Sequence, residues 1–178
     1  LIGRLIQARL SGLLVNSQEN EGIESLDTAY EIQEKVLEGL GSESIFWKVG
    51  STSIEAQKKL GTDEPGSCRV PEKYCFLNGD KIPIFDAHDV WVEGEFGIRL
   101  GCDLPSRAQP YGRGEIISSI DGVAASLELV GSRFAAGIAN SGRYNVTADG
   151  GANIALCVGE IATHISASSI KSNSADLY

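Results

Sequence analysis

Methionine is missing from the whole 178-residue chain, position 1 included, which reads as a true start lying outside this sequence. Missing too is any apolar run near the ~20 residues that a bilayer-spanning helix needs. The stretch Leu1–Val15 is interrupted by Arg4, Gln7 and Arg9, where a signal peptide's apolar region would carry no such groups. Neither a membrane nor a secretory route is therefore expected. Cysteine is scarce and scattered: Cys68, Cys75, Cys102 and Cys157 form no CxxC pair, and neither histidine stands at zinc-ligand spacing. That excludes a structural zinc site and predicts free thiols in a reducing cytoplasm, with the sequon Asn145-Val146-Thr147 unused. Basic residues are the minority sign, 15 against 24 acidic for a formal charge of −9, and they build no stripe, so nucleic acid is not an expected partner. No GxSxG, P-loop or dinucleotide fingerprint occurs, and no internal repeat.

What is present suits a packed domain. Hydrophobic residues make up 42% of the chain and the charges are spread along it, which excludes a disordered acidic tail. Ile2, Leu5, Ile6, Leu10, Leu13 and Leu14 recur at helical spacing, predicting a first helix within Leu1–Val15. Asn16–Gly22 reads as a polar connection. A second helix follows, with Ser25 as its N-cap, Asp27 complementing the dipole, a face of Leu26, Tyr30, Gln33, Val36, Leu37 and Leu40, and glycines 39 and 41 at its end. Ile45–Gly50 then reads as a strand with Lys48 sharing a face with Phe46 and Gly50. Thr52-Ser53-Ile54-Glu55 has the form of a capping box opening a helix that Gly61 stops. Glycine, proline and aspartate punctuate residues 65–105, predicting short strands and turns, with Asn78-Gly79 as a hairpin signal. Residues 122–139 read equally as strand or buried helix. Val146–Gly159 reads as a strand with a Gly-Gly bend, and Ser166–Ser174 is a serine-rich end.

The sharpest chemical feature is Trp91-Val92-Glu93-Gly94-Glu95-Phe96-Gly97-Ile98. In a strand, Glu93 and Glu95 share one face about 7 Å apart. If that strand is buried, as its apolar neighbours suggest, both stay ionised only with a cation between them, and oxygen ligands select a hard ion, Mg2+ or Mn2+. If it is exposed, they are two solvated glutamates. Glu128 sits in an apolar run where burial demands a partner, either a metal or Arg133. Asp149 and Asn153 flank a glycine bend and serve either a ligand or the turn. Lys48 is a proton carrier or carboxylate anchor if its pocket is dry, otherwise a snorkelling strand lysine. His88-Asp89 is a poor dyad, because neighbours on a strand face opposite ways.

Taken in order, several blocks resemble the 2-oxopent-4-enoate (2-keto-4-pentenoate) hydratase family of the fumarylacetoacetate hydrolase superfamily. They are Asp27–Gln33, Trp47–Ser53, Gln57–Pro65, Val92–Glu95 with Asp103-Leu104-Pro105, Leu127–Phe134, and Ala148-Asp149-Gly150 leading to Gly159. The resemblance implies that Glu93, Glu95 and Glu128 ligate one Mg2+ or Mn2+. It further implies catalytic roles for Lys48 and Asp149 and substrate contacts from Lys48, Ser53 and Asn153. The implied fold is α+β, a fumarylacetoacetase C-terminal-like twisted β-roll or barrel behind N-terminal helices. It divides into a helical portion 1–44, a metal-binding core 45–159 and an irregular tail 160–178. The family pattern stops after Gly159, so the core is expected to be truncated, with open strand edges that predict cover by a partner subunit, marginal stability or an incomplete gene product. After Pro65 the chain departs from the pattern in Gly66-Ser67-Cys68-Arg69, on the substrate side of the pocket.

The implied activity is hydration of a 2-hydroxypenta-2,4-dienoate-type acid in aromatic catabolism, by a cytoplasmic homo-oligomer. The alternatives are 2-oxo-3-enedioate decarboxylation or acylpyruvate hydrolysis on the same scaffold, or a truncated relative without catalysis.

Overall fold

The computed structural model describes residues 1–16, 23–41 and 43–163. Eleven elements run in the order α1 (Ile2–Ser11), α2 (Leu26–Gly39), β1 (Phe46–Gly50), α3 (Ile54–Leu60), β2 (Gly66–Val70), β3 (Cys75–Leu77), β4 (Trp91–Leu100), α4 (Arg113–Ser119), β5 (Ile120–Val130), α5 (Gly137–Ala148) and β6 (Asn153–Val158). Short 3-10 turns cover Glu72–Tyr74 and Asp86–His88. The strands form an antiparallel pair, β1 with β2, and a four-stranded mixed sheet in the order β3-β6-β5-β4. In that sheet β3 runs parallel to β6 and the other pairings are antiparallel.

Local signals explain most boundaries. The Ser25 hydroxyl accepts from the Thr28 amide at 3.1 Å, capping α2, whose inner face is Ala29, Gln33, Val36 and Leu37. The first helix is shorter than its periodicity predicts. It closes at Gly12, which has a left-handed φ of 75°, and Leu10, Leu13 and Leu14 end up exposed. Val15 instead bridges to Phe134, so the chain after α1 is tied to the loop beyond β5. Ser53 alone caps α3, accepting from Ala56 at 3.1 Å, and Gly61 closes that helix.

Two corrections concern strands. Asn78-Gly79 does turn the chain, with the Asp80 amide donating to the Leu77 carbonyl, but it makes no hairpin, because β3 pairs with the distant β6. Residues 146–148 are the last turn of α5, and only Asn153–Val158 of the predicted 146–159 strand is extended. The ambiguous stretch after Gly122 resolves as strand up to Val130, since pairing with both β4 and β6 satisfies its backbone.

One apolar cluster joins Leu5 and Ala8 of α1, Val15, Val36 of α2, Leu40 and Phe134. A second joins Cys68 and Val70 of β2 to Leu156 of β6, with Phe46 and Tyr74 against it. Thus α1 packs on α2 and α2 on α5, with Phe134 of the loop after β5 in their cluster, while β1–β2 leans on the β6 side of the main sheet. From residue 164 onward, the serine-rich end and His164 included, the tail lies outside the described residues, as do residues 17–22 of the predicted connection.

Candidate metal centre

The site is built on the β4–β5 pairing. Glu93 lies directly opposite Glu128, and Glu95 opposite Ser126, so the pleat puts all three glutamates on one face. Their carboxylate oxygens lie within 4.8 Å of one another. Gly94 between them pairs with Leu127 and belongs to the other face. The expectation that β4 is buried fails: it is an edge strand, with Trp91 65%, Phe96 54% and Ile98 55% exposed. Glu93 and Glu95 are accordingly exposed and Glu128 is buried. The group is a bowl of carboxylates, closed at the bottom by Glu128 and open at the β4 rim.

Electrostatics follow from this packing. The Glu95 carboxyl is held above its ordinary range, first by partial desolvation and then by the charges of Glu128 and Glu93, while Lys48 pulls it down. Lys48 arrives from the other sheet. Alternation along β1 turns Phe46, Lys48 and Gly50 inward and leaves Trp47 and Val49 outside. The Lys48 ammonium stands 3.4 Å from Glu128 Oε1, with side chains 9% and 4% exposed respectively. This is a buried pair and not a snorkelling lysine, and Lys48, where the sequence offered Arg133, partners Glu128.

Asn153 completes the anchoring of Glu128, its Nδ2 donating to Oε1 at 2.9 Å. A β-bulge makes this possible. Between β5 and β6 the register runs Glu128↔Leu156 and Leu129↔Ala155, then skips Ile154 so that Asn153 faces Val130. The extra residue brings Asn153 onto the Glu128 face, where unbroken alternation would turn it away. Its Oδ1 is buried and makes no hydrogen bond to protein, and the same holds for Ser126 Oγ on the acid face. Ser126 was missed by sequence reasoning; the available signal was its position two residues before Glu128.

Asp149 turns its side chain to Arg133. Its Oδ1 accepts from Arg133 Nε at 2.7 Å and its Oδ2 from the Arg133 amide at 3.1 Å, and its carbonyl accepts from Arg9 Nη2 at 2.8 Å. Arg133 and Asp149 are 0% and 2% exposed. The carboxylate is therefore engaged in a buried ion pair that ties the end of α5 to the loop after β5, and the carbonyl ties it to α1. Ser53, named for substrate contact, spends its hydroxyl on the α3 cap and is exposed. His88 is buried in a 3-10 turn and exposed Asp89 follows it in a left-handed conformation, so the two form no dyad.

The donor set fits a hard divalent ion. Neighbouring ligands of Mg2+ stand roughly 3 Å apart, given metal–oxygen distances of about 2.1 Å, so the glutamates need only a modest contraction. Three carboxylates beside a single ammonium also leave a negative excess that a cation relieves. A cavity of about 60 Å³ opens beside Lys48, lined by Ser51, Ser67, Arg143 and Thr147 among others. A larger cleft of about 420 Å³, along Leu60 and Ser141–Asn145, includes none of the acids.

No known family's sequence profile matches the chain. Over 114 residues it is 36% identical to the 2-keto-4-pentenoate hydratase of Paraburkholderia xenovorans, covering 62% of this chain and 42% of that protein. The TodF product hydratase of Pseudomonas putida is 29% identical over 133 residues, 72% of this chain and 49% of that one. The chain thus spans less than half the length of these curated relatives. Among solved structures, the 4-oxalocrotonate decarboxylase of Pseudomonas putida, complexed with calcium and acetate or with magnesium and adipate, superposes with a TM-score of 0.75. That match covers 91% of this chain at 20% identity, and 61% of the decarboxylase in its calcium complex, and shows a shared α+β fold.

Proposed function

We propose that this chain, a homologue of the 2-keto-4-pentenoate hydratases, is a divalent-metal-dependent hydro-lyase acting on a 2-hydroxypenta-2,4-dienoate-type acid. The observation that carries the reading is the gathering of Glu93, Glu95 and Glu128 on one sheet face with Lys48 against the deepest of them. Glu93, Glu95 and Glu128 would hold Mg2+ or Mn2+. The bound ion would supply Lewis-acid stabilisation of negative charge at the substrate's 2-oxygen and carboxylate. Hydration requires a proton at the far end of the dienol and then conjugate addition of water. Lys48, partly buried on the inner face of β1, is the group we assign to carrying that proton or holding the substrate's charged end. Asn153 keeps Glu128 aimed, and its free Oδ1 offers an acceptor beside Lys48.

The test is direct. The protein stripped with a chelator should lose activity on 2-hydroxypenta-2,4-dienoate, read as disappearance of the diene absorbance, and regain it with Mg2+ or Mn2+. Glu95→Gln should abolish the metal-dependent rate; full activity in that variant, or in excess chelator, refutes the assignment.

Decarboxylation of a 2-oxo-3-enedioate is the second reading. It is favoured by Arg143 in the cavity beside Lys48, a cation paired with exposed Glu64 at 3.3 Å that a second substrate carboxylate could displace, and by the shared fold with a decarboxylase. Carbon dioxide release from such a diacid, without hydration of the dienoate, would select it. We also read the two sheets as part of a twisted roll, and the β4 edge as covered in an assembly of several copies. The exposed stripe Val92, Phe96, Ile98 and Leu100 supports this, and sedimentation of the protein as a monomer would refute it.

A further inference from the structure

The Lys48 ammonium lies between two glycines from different parts of the chain. A Cβ on Gly50 would stand 3.2 Å from Lys48 Nζ, and one on Gly151 would stand 2.8 Å from Cε and 3.1 Å from Nζ. Gly50 is on Lys48's own strand, two residues on and on the same face. Gly151 belongs to the turn between α5 and β6, where Gly150, Gly151 and Ala152 have successive φ values of 73°, 64° and 65°. That turn is held by the Gly151 amide on the Val146 carbonyl at 2.8 Å and by the Ala152 carbonyl accepting from Gly131 at 2.9 Å. It also delivers Asn153 to Glu128. A left-handed alanine costs ~1–2 kcal/mol, so Ala152 marks a turn whose shape the fold enforces.

We propose that Gly50 and Gly151 are positioning residues: together they form a slot that seats the Lys48 ammonium against Glu128, while the same turn fixes Glu128 through Asn153. The proposal rests on the reading of the three glutamates as a metal centre with Lys48 beside it. It goes further by assigning roles to two residues with no side chain of their own. The atoms a new Cβ would strike are the far end of a flexible lysine, so at Gly50 the substitution displaces the ammonium and leaves the backbone in place, while at Gly151, with its φ of 64°, it adds left-handed strain to the same displacement. A misplacement of about 1 Å costs on the order of a hundredfold in rate when the moved group takes part in the chemistry.

The experiment is a pair of double-mutant cycles, Gly50→Ala with Lys48→Ala and Gly151→Ala with Lys48→Ala, read by Mn2+ affinity of the substrate-free protein and by kcat. Gly50 has ordinary strand φ, so its cycle carries no strain. Gly41, with a φ of 63° and no atom within 4 Å of an added Cβ, supplies Gly41→Ala as the control for left-handed strain in Gly151→Ala. Pushing the ammonium off Glu128 removes a competing cation, so each glycine variant should bind Mn2+ more tightly by at least roughly threefold. Each should lose at least about tenfold in kcat, and neither effect should persist in the Lys48→Ala background. Glycine effects that add in full to that of Lys48→Ala, or wild-type Mn2+ affinity and kcat in both glycine variants, would overturn the slot. Full activity in Lys48→Ala with coupling in Mn2+ affinity intact would refute the catalytic role and keep the slot. Failure of the unsubstituted protein to bind Mn2+ would refute the metal centre itself and the slot with it.

Discussion

Asp149→Asn is the substitution that most sharply separates a structural from a chemical role for the buried acid. In the folded protein the Asp149 carboxylate pairs with Arg133, both of them buried, and the Asp149 carbonyl accepts from Arg9, so two guanidinium groups converge on one aspartate. Burial pushes the Arg9 guanidinium down to about 10, the neighbouring Arg133 charge adds to the effect, and Asp149 opposes it. Asparagine keeps the shape and one acceptor oxygen but removes the carboxylate charge that offsets those cations. Breaking a buried pair by neutralising one partner costs about 3–5 kcal/mol, because the remaining charge stays desolvated. Against a total stability of about 5–15 kcal/mol, that loss removes much of the margin. For a chain of 178 residues it corresponds to a fall in Tm of roughly 6–20 °C, at about 2–4 °C per kcal/mol. The assay is urea and thermal unfolding followed by circular dichroism, with turnover per folded molecule measured well below the transition. The expected result is a large drop in midpoint at unchanged m-value, with turnover retained in the folded fraction. Stability within about 1 kcal/mol of the parent, together with loss of turnover, would refute the structural assignment and return Asp149 to the chemistry.

Two further outcomes follow from buried titratable groups. Cys68 and Cys75 are pushed up to about 11 and about 12, chiefly by burial, whereas Cys102 is exposed; at pH 8 an alkylating reagent should modify Cys102 and spare those two until the protein unfolds, as peptide mass mapping will read. Desolvation, helped by Arg133, holds the His88 imidazole below its ordinary 6.5, so below that pH the unfolded chain takes up a proton the folded one resists. The His88 contribution is therefore intact above about pH 6.5 and lost as pH falls toward the folded value, at up to about 1.4 kcal/mol per unit. Urea midpoints at pH 7.5 and 5.5 should diverge for the parent and converge in His88→Gln; an equal divergence in both would refute the assignment.

The three glutamates were legible because a strand has only two faces. Once Glu93 and Glu95 are two residues apart in an extended segment, their shared face is settled, and the ordered blocks around them single out Glu128 as the third. Ser25, Ser53 and Gly61 likewise act locally, through hydrogen bonds and φ values that need no distant partner, so the boundaries they mark could be read from composition. Alternation alone put Lys48 on the face of Phe46 and Gly50 but left open which face is inner: the more apolar set, Trp47 and Val49, lies outside. The limits of such reasoning appear wherever a partner lies far along the chain. The choice between Lys48 and Arg133 as companion of Glu128 depended on which sheet leans on which. The exposure of β4 depended on its place at the sheet edge, which no residue within β4 encodes. Asn153 reaches Glu128 only because a single bulged residue in β6 reverses the alternation, and Asp149, four residues earlier, turns the other way into the two arginines.

Period and capping chemistry, which act over a few residues, thus determined α2, β1, α3 and the acid face by sequence alone. Which buried charge meets which was decided only by the tertiary structure. Burial makes each pairing exclusive: Glu128 takes Lys48 from the other sheet, although Arg133 is near it in the chain, and Arg133 turns instead to Asp149 beyond α5.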